Sequence, residues 1–552
     1  MRISSFDIFN TCVVRKCGAP RNLFDVLSYR VFSQGVSTEQ RLEFIACRLA
    51  SDDSSTFSHL YETFDYTHPL LLSKESIMQK ELECEYEMMV PVDIMKMEIE
   101  QCRDRGDHII FISDMYLPTD FLKRSLSEFG ILREEDTLYV SGDCGHKKSD
   151  GTLFQFIQER ENLDFSKWHH YGDNSHSDIQ IPCNLGIKTH LVNHKYLPYE
   201  QKWIDNSNNI TYHTGGIMAG IGQSIYLSTE DNLHKAFAID ISAPLTTAFA
   251  MRIMYDAEKR GLKRLYFCAR DCYALYHVAK KIERVTPSVE PVYFYTSREA
   301  LYNTNEKNLI DYLAHIGMAN TDNHVGIVDI RSTGNSLRYL NEILQKNNYN
   351  PVFGYYLEMF CSDFFTKGMF PYYCEINRLY CDLFSHHHPI LEKFLSICPD
   401  NKTIQYSKQA HLLSETPLYE DYFIEGLEKL SAINLSILCK YADSFIETEL
   451  YRHCDEMFQY FVIPTLKQFF SHPYKKYLFS LRYLHILQED GSSIPYIEET
   501  VTGIPLKIAQ IAKASKIRIV RRLMKFLMRM MHIKPLPKDV WWPEGTKIYN
   551  SK

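Results

Sequence analysis

The chain has 552 residues, too many for one hydrophobic core, so two or three domains are expected. Hydrophobic residues make up 45% and charged residues 24%, with a formal net charge of −8, which describes an ordinary globular chain and argues against disorder or a nucleic-acid coat. Its 15 cysteines show no CxxC or zinc-ligand spacing, which excludes a disulfide framework and points to free thiols in a reducing cytosol.

The chain enters at once a short apolar run, Ile3 to Phe9, read as a strand that carries FDIFNT from Phe6 to Thr11. About a hundred residues separate it from the next apolar run, far more than one strand-to-helix crossover needs. Arg21 to Glu100 is rich in Leu, Glu, Met and Tyr at helical spacing, so a helical insertion over about residues 20–100 is expected. HIIFISDMYL, from His108 to Leu117, reads as a second strand ending in Ser113, with Pro118 placed to open a helix. TLYVSGDCGHKKSDGTLF follows as a strand and a loop bearing Lys147 and Lys148. HHYGDNSHSDIQIPCNLGI puts Asp173 and Asp178 after another strand, and Ile187 to Val192 completes a first domain of residues 1–200.

These parts, in this order, resemble the haloacid dehalogenase (HAD) superfamily. The resemblance implies a Rossmann-like parallel sheet with a helical cap, and Asp7 as a nucleophile at the end of the first strand. Ser113 would hold a phosphoryl oxygen, and Lys148 would steady the carboxylate and the charge of the transferring group. Magnesium would be held by Asp7, the backbone carbonyl of Phe9 and Asp173, with Asp178 orienting the metal shell or Lys148. The residue types suit that chemistry: a carboxylate facing an anionic phosphate needs positive charge between them, and a hard cation takes oxygen ligands. A capped site implies a small phosphorylated metabolite. One position departs from the phosphatase pattern. The second aspartate expected two residues after the nucleophile is Phe9, and the next residue is Asn10, which delivers no proton at neutral pH. General acid catalysis is worth roughly 10²–10⁴-fold. Haloacid dehalogenases and phosphonate-cleaving relatives also lack that acid. Two readings therefore stand: a hydrolase of phosphatase type, and a binding or scaffold protein that kept the fold and lost turnover.

Residues 201–235 read as a linker, and Asn206 to Thr229, uncharged and carrying Gly215, Gly216, Gly220 and Gly222, as a boundary with tight turns. From 236 to 412 strands alternate with helices, which implies a second, mostly parallel α/β domain. Arg270, Asp271, Arg298, Asp329, Arg331 and Thr333 fall at predicted strand ends and make a candidate anion site. Arg270–Asp271 and Arg298–Glu299 pairs that merely tie loops are the bland alternative. FCARDCYAL, TSREAL, VDIRST and LEKFLSICPD, together with FDIFNT, resemble predicted hydrolases of capsule and O-antigen gene clusters, and the likeness covers roughly residues 1–410. It implies a setting in surface-polysaccharide assembly. VDIRSTGNSL is also distantly similar to the acidic Thr-Gly loop of phosphoribosyltransferases, which leaves a transferase activity in this domain open.

His386, His387 and His388 read as a surface loop, and residues 413–504 as a helical region. The last segment, 505–552, differs. Lys507 to Lys534 holds nine Lys/Arg residues and no Asp or Glu, with Ile508, Ala512, Ile519, Leu523, Phe526 and Met530 on one helical face. Such a helix suits an anionic membrane surface, and docking on the acidic body of the protein is the alternative. No nucleic acid is expected, because the basic stretch lacks interleaved aromatics. A cytoplasmic protein, peripheral on the membrane's cytoplasmic face, is the expectation.

Overall fold

The computed structural model describes residues 2–51, 56–207, 213–230, 235–321, 324–359, 372–376, 398, 401–414, 427–474, 477, 485–487 and 493–495. The basic segment 507–534 and the histidines 386–388 lie outside the described residues. The chain divides into two compact units: Met1–Asp231 with Asp443–Met457, and Asn232–Ala442 with Phe458–Lys552.

The first unit is built on five parallel strands: β1 (Ile3–Asp7), β4 (His108–Ser113), β5 (Thr137–Val140), β6 (Trp168–Gly172) and β7 (Lys188–Leu191). Their order is β5-β4-β1-β6-β7, so β1 is central and the chain switches direction beside it. Ile3, Ile110, Ile112, Phe154 and Trp168 form the core on one face of this sheet. Two short strands, β2 (Val13–Arg15) and β3 (Met89–Pro91), pair antiparallel at the root of the insertion. Between them lie α1 (Asn22–Leu27), α2 (Thr38–Ala50), α3 (Phe57–Thr63) and α4 (Lys74–Met88), and α5 (Asp93–Asp104) returns the chain to β4. The cap helices begin where the sequence supplies hydroxyl caps. Ser37 accepts from the Gln40 amide in a full capping box, and Thr56 and Ser73 cap α3 and α4. Phe44, Phe57, Leu60, Phe64 and Ile77 bury their side chains between these helices. The insertion is thus a helical cap over a Rossmann-like sheet.

The glycine-rich stretch after this sheet differs from expectation: it forms a buried helix, Thr214–Leu227, instead of a series of turns. The reason is close approach. A Cβ on Gly220 would fall 2.1 Å from the Gly18 amide nitrogen, and one on Gly216 would fall 2.9 Å from Asn22 Nδ2. The glycines clear a helix face for the 16–18 backbone, a use of glycine that favours no turn.

The second unit holds another parallel sheet, ordered β9-β8-β10-β11-β12. Its strands are β8 (Arg264–Cys268), β9 (Glu290–Phe294), β10 (Val325–Ser332), β11 (Phe353–Met359) and β12 (Tyr372–Ile376). A continuous helix, Lys235–Lys259, is long and apolar enough to cross a membrane, but 94% of its apolar window is buried. Two hairpins accompany the sheet, β13 (Thr403–Tyr406) with β14 (His411–Leu413), and β15 (His485–Leu487) with β16 (Ser493–Pro495). The last lies in a region read from sequence as helical throughout.

Candidate active site

Parallel register sets the site. Asp7 pairs with Ile112 and Phe6 with Tyr171, so Asp7, Ser113 and Gly172 emerge together at the C-terminal edge of the sheet. That edge, beside the switch in strand direction, is where open α/β sheets hold ligands. The chain then turns sharply: the amides of Cys12 and Val13 both donate to the Ile8 carbonyl, and Asn10 adopts φ +58°, a left-handed conformation that asparagine tolerates. Phe9, Asn10, Asp173, Asp114 and Lys148 join Asp7 on the wall of a cavity of about 540 Å³, which also takes Arg48 and Glu85 from the cap.

Lys148 lies at the centre. Its Nζ donates to Asp7 Oδ1 at 2.5 Å and to Asp178 Oδ1 at 2.6 Å, and all three side chains are buried. The loop that carries it is fixed by Asp114, whose carboxylate accepts from the amides of Lys148 (2.8 Å) and Ser149 (3.3 Å). Ser113 is buried at the strand end and lines the same cavity. Asp7, Asp173 and Asp178 offer carboxylate oxygens within 4.8 Å of one another. Three carboxylates against one ammonium leave uncompensated negative charge. Burial pushes the Asp7 carboxyl up to about 7 against the pull of Lys148, and the charges of Asp178 and Asp173 add to the rise. Asp173 is raised as well, by burial and then by Asp178. Burial would raise Asp178 too, but the hydrogen bond from His170 and the Lys148 charge hold it below the usual range. Burial would lower Lys148, and the charges of Asp7 and Asp178 raise it instead. A hard divalent cation fits this all-oxygen set and would neutralise its excess charge.

A second chain of contacts, missed in the sequence reading, holds Asp178. Trp168 Nε1 donates to Ser5 Oγ at 2.7 Å, Ser5 Oγ lies 2.7 Å from His170 Nδ1, and His170 Nε2 lies 3.2 Å from Asp178 Oδ1. An indole is only a donor, so Ser5 accepts from it, and the ionised Asp178 carboxylate is only an acceptor, so His170 Nε2 donates to it and His170 Nδ1 accepts from Ser5. That assigns the proton of neutral His170 to Nε2, which donates to Asp178; burial lowers the imidazole's affinity for a second proton. Gly172 permits the approach, since a Cβ there would lie 2.4 Å from Asp178 Cγ. The signal was present: Ser4 and Ser5 are polar residues inside a central strand, where a buried hydroxyl needs a partner.

Phe9, at the position of the expected acid, lies beneath Arg15, whose guanidinium carbon is 4.0 Å from the ring centroid. Arg15 Nε also donates to the buried Glu85 Oε1 at 2.6 Å. Deeper in the cap, Arg48 makes two bonds to Glu81, at 2.8 and 2.6 Å, and Tyr61 and Tyr116 donate to the same carboxylate.

In the second unit, Arg270, Asp271, Arg298, Asp329 and Thr333 all line one cavity of about 710 Å³. Arg331 lies on β10, and its side chain is outside the described residues. Among the described residues the Arg298–Glu299 pair of the bland alternative is not formed, and Glu299 pairs with Lys402 at 2.6 Å.

No protein-family profile matches the chain, and no curated protein does. Solved structures do. A HAD phosphatase from Thermococcus onnurineus aligns at 19% identity and TM-score 0.27, over 35% of this chain and 87% of its own. A HAD family enzyme from Bacteroides thetaiotaomicron aligns at 12% and 0.27, over 35% and 94%. The HAD-hydrolase YfnB from Bacillus subtilis, bound to magnesium, aligns at 13% and 0.25, over 36% and 89%.

Proposed function

We propose that the first unit is a HAD-type hydrolase acting on a phosphorylated sugar or a related small metabolite. The observation that carries this is the buried Asp7–Lys148–Asp178 arrangement at the sheet edge, with Ser113 on the same cavity wall. Lys148 engages Asp7 Oδ1 and leaves Oδ2 to attack phosphorus. The P–O bond to the leaving group then breaks, giving an aspartyl phosphate that water hydrolyses. Ser113 and Lys148 bind phosphoryl oxygens, and Asp178 keeps Lys148 charged and oriented, itself positioned by His170. Asp7, Asp173, Asp178 and the Phe9 carbonyl would hold magnesium, which when bound supplies positive charge to the transferring phosphoryl group. The helical cap and the polar, arginine-containing wall favour a small anionic substrate over a protein. Surface-polysaccharide assembly is the setting we assign, on the strength of the FDIFNT, FCARDCYAL, TSREAL and VDIRST phrases.

Asp7→Asn, assayed beside the parent chain on a panel of phosphorylated sugars with magnesium, tests the nucleophile. Loss of turnover is expected, and equal turnover by both proteins would sink the assignment. Phe9 favours a second reading, a binding protein without turnover; magnesium affinity with no hydrolysis of any phosphate ester would establish it. We further propose that residues 507–534 attach a cytoplasmic protein reversibly to anionic membrane. Vesicle binding that salt releases is the expected behaviour, and indifference to salt would count against it.

A further inference from the structure

The sheet order of the second unit has its own switch point. β8 lies between β9 and β10; the chain goes from it to β9 at the sheet edge, then crosses to β10 on its other side. In a doubly wound sheet such a reversal opens a crevice between the loops that leave the two strands, and ligands sit there. The 710 Å³ cavity occupies that place: Ala269, Arg270 and Asp271 follow β8, and Ser332 and Thr333 end or follow β10. Thr296, Ser297 and Arg298, after β9, supply a third wall.

The wall chemistry is mixed in a particular way. Two guanidinium groups, Arg270 and Arg298, line the cavity, and among the described residues neither forms an ion pair. Glu299, the nearest carboxylate in sequence to Arg298, is taken by Lys402. Gly334, at φ +78°, lets the chain turn from β10 into the helix Asn335–Lys346, and its amide donates to Ser332 Oγ at 3.1 Å. Asn335 and Ser336, in the first turn of that twelve-residue helix, line the cavity too. Guanidinium groups and a helix start bind phosphate oxygens. The carboxylates of Asp271 and Asp329 stand on the same wall, where they repel a bare anion and accept hydrogen bonds from hydroxyls.

We propose that this cavity binds a phosphate ester of a polyol, its phosphate toward Arg270, Arg298 and the helix start and its hydroxyls toward Asp271 and Asp329. The ester is a free sugar phosphate or the ribosyl phosphate of a nucleotide; both present the same groups. The site is separate from Asp7 and stands whether or not the first unit turns over.

Calorimetric titration of the full chain without divalent cation, using glucose 6-phosphate, ribose 5-phosphate, adenosine 5′-monophosphate and inorganic phosphate, tests it. At least one ester should saturate a single site, weakened tenfold or more by Arg298→Gln and by Thr333→Val, and within twofold of the parent in Asp7→Asn. Arg298 and Thr333 are exposed, so both variants should melt at the parent temperature. Binding by sugar phosphates alone identifies a free sugar phosphate, and binding by the nucleotide as well identifies the ribosyl phosphate. The proposal is overturned if no ester binds, if inorganic phosphate binds as tightly as the esters, or if binding falls with Asp7→Asn and not with Arg298→Gln.

Discussion

The guanidinium of Arg15 lies 4.0 Å above the ring of Phe9, and the same side chain is bonded to Glu85. The position where a general acid is expected is therefore filled, packed and held from the cap side. Nothing in that arrangement delivers a proton to a departing alkoxide.

Leaving groups that depart as stable anions should escape this deficit. We expect kcat/KM for an aryl phosphate to exceed that for an alkyl phosphate by roughly 10²-fold or more, the ordinary worth of general acid catalysis. Phe9→Asp should narrow the gap by raising the alkyl rate. Equal rates for both esters in the parent chain would mean that another group supplies the proton.

Gly172 and Asp178 give a second test. Alanine at 172 would set its methyl within 2.4 Å of the Asp178 carboxyl carbon, so the carboxylate must leave its place beside Lys148 and His170. Gly172→Ala should cost about 1–3 kcal/mol in chemical denaturation, the range for overpacking a tight site. It should also weaken magnesium binding and turnover together. Retention of both would show that Asp178 does not act from its observed position.

Much of this was legible in the chain. Alternation of apolar runs and helical stretches marked both sheets, and the order of the motifs marked Asp7, Ser113, Lys148, Asp173 and Asp178, which the fold brings to the wall of one cavity. What escaped was held in pairs distant in sequence. Ser5 meets His170 across 165 residues, and Asp114 holds the Lys148 loop across 34. The glycines of 214–227 misled for a related reason. A glycine that clears room for another backbone looks, in one sequence, like a glycine that turns.

Acid should destabilise the first unit through its strand histidines. Burial, then the charges of Arg2, His190 and Lys188, lower His169 from 6.5 to about 4, and burial lowers His190 as well. The folded state thus prefers these rings neutral. Above pH 6.5 both folded and unfolded chains carry them uncharged and their contribution is constant. Between pH 6.5 and about 4 the unfolded chain takes up protons that the folded chain refuses, so stability falls as pH falls. In thermal melts across that window the parent chain should lose stability relative to His169→Gln as pH falls. Asp7, raised to about 7, takes up its proton in the folded chain over the same window and opposes the decline, so the test is the difference between the two proteins: the same pH dependence in parent and His169→Gln would contradict the assignment.

The cap's ion pair sets the last expectation. Arg48 and Glu81 are both buried and doubly bonded, and Glu81 also accepts from Tyr61 within the cap and from Tyr116, which follows β4 beside the site. Removing one partner leaves a buried charge alone. Arg48→Met should therefore cost about 3–5 kcal/mol, whereas Arg48→Met with Glu81→Gln should recover a good part of that loss. Tyr116→Phe removes one hydrogen bond to an ionised group and should cost about 1.5–3 kcal/mol. Because Tyr116 joins the cap to the loop beside Ser113, that variant should also raise KM more than it lowers kcat. If Arg48→Met melts like the parent chain, the cap is held by its aromatic packing and the ion pair contributes little.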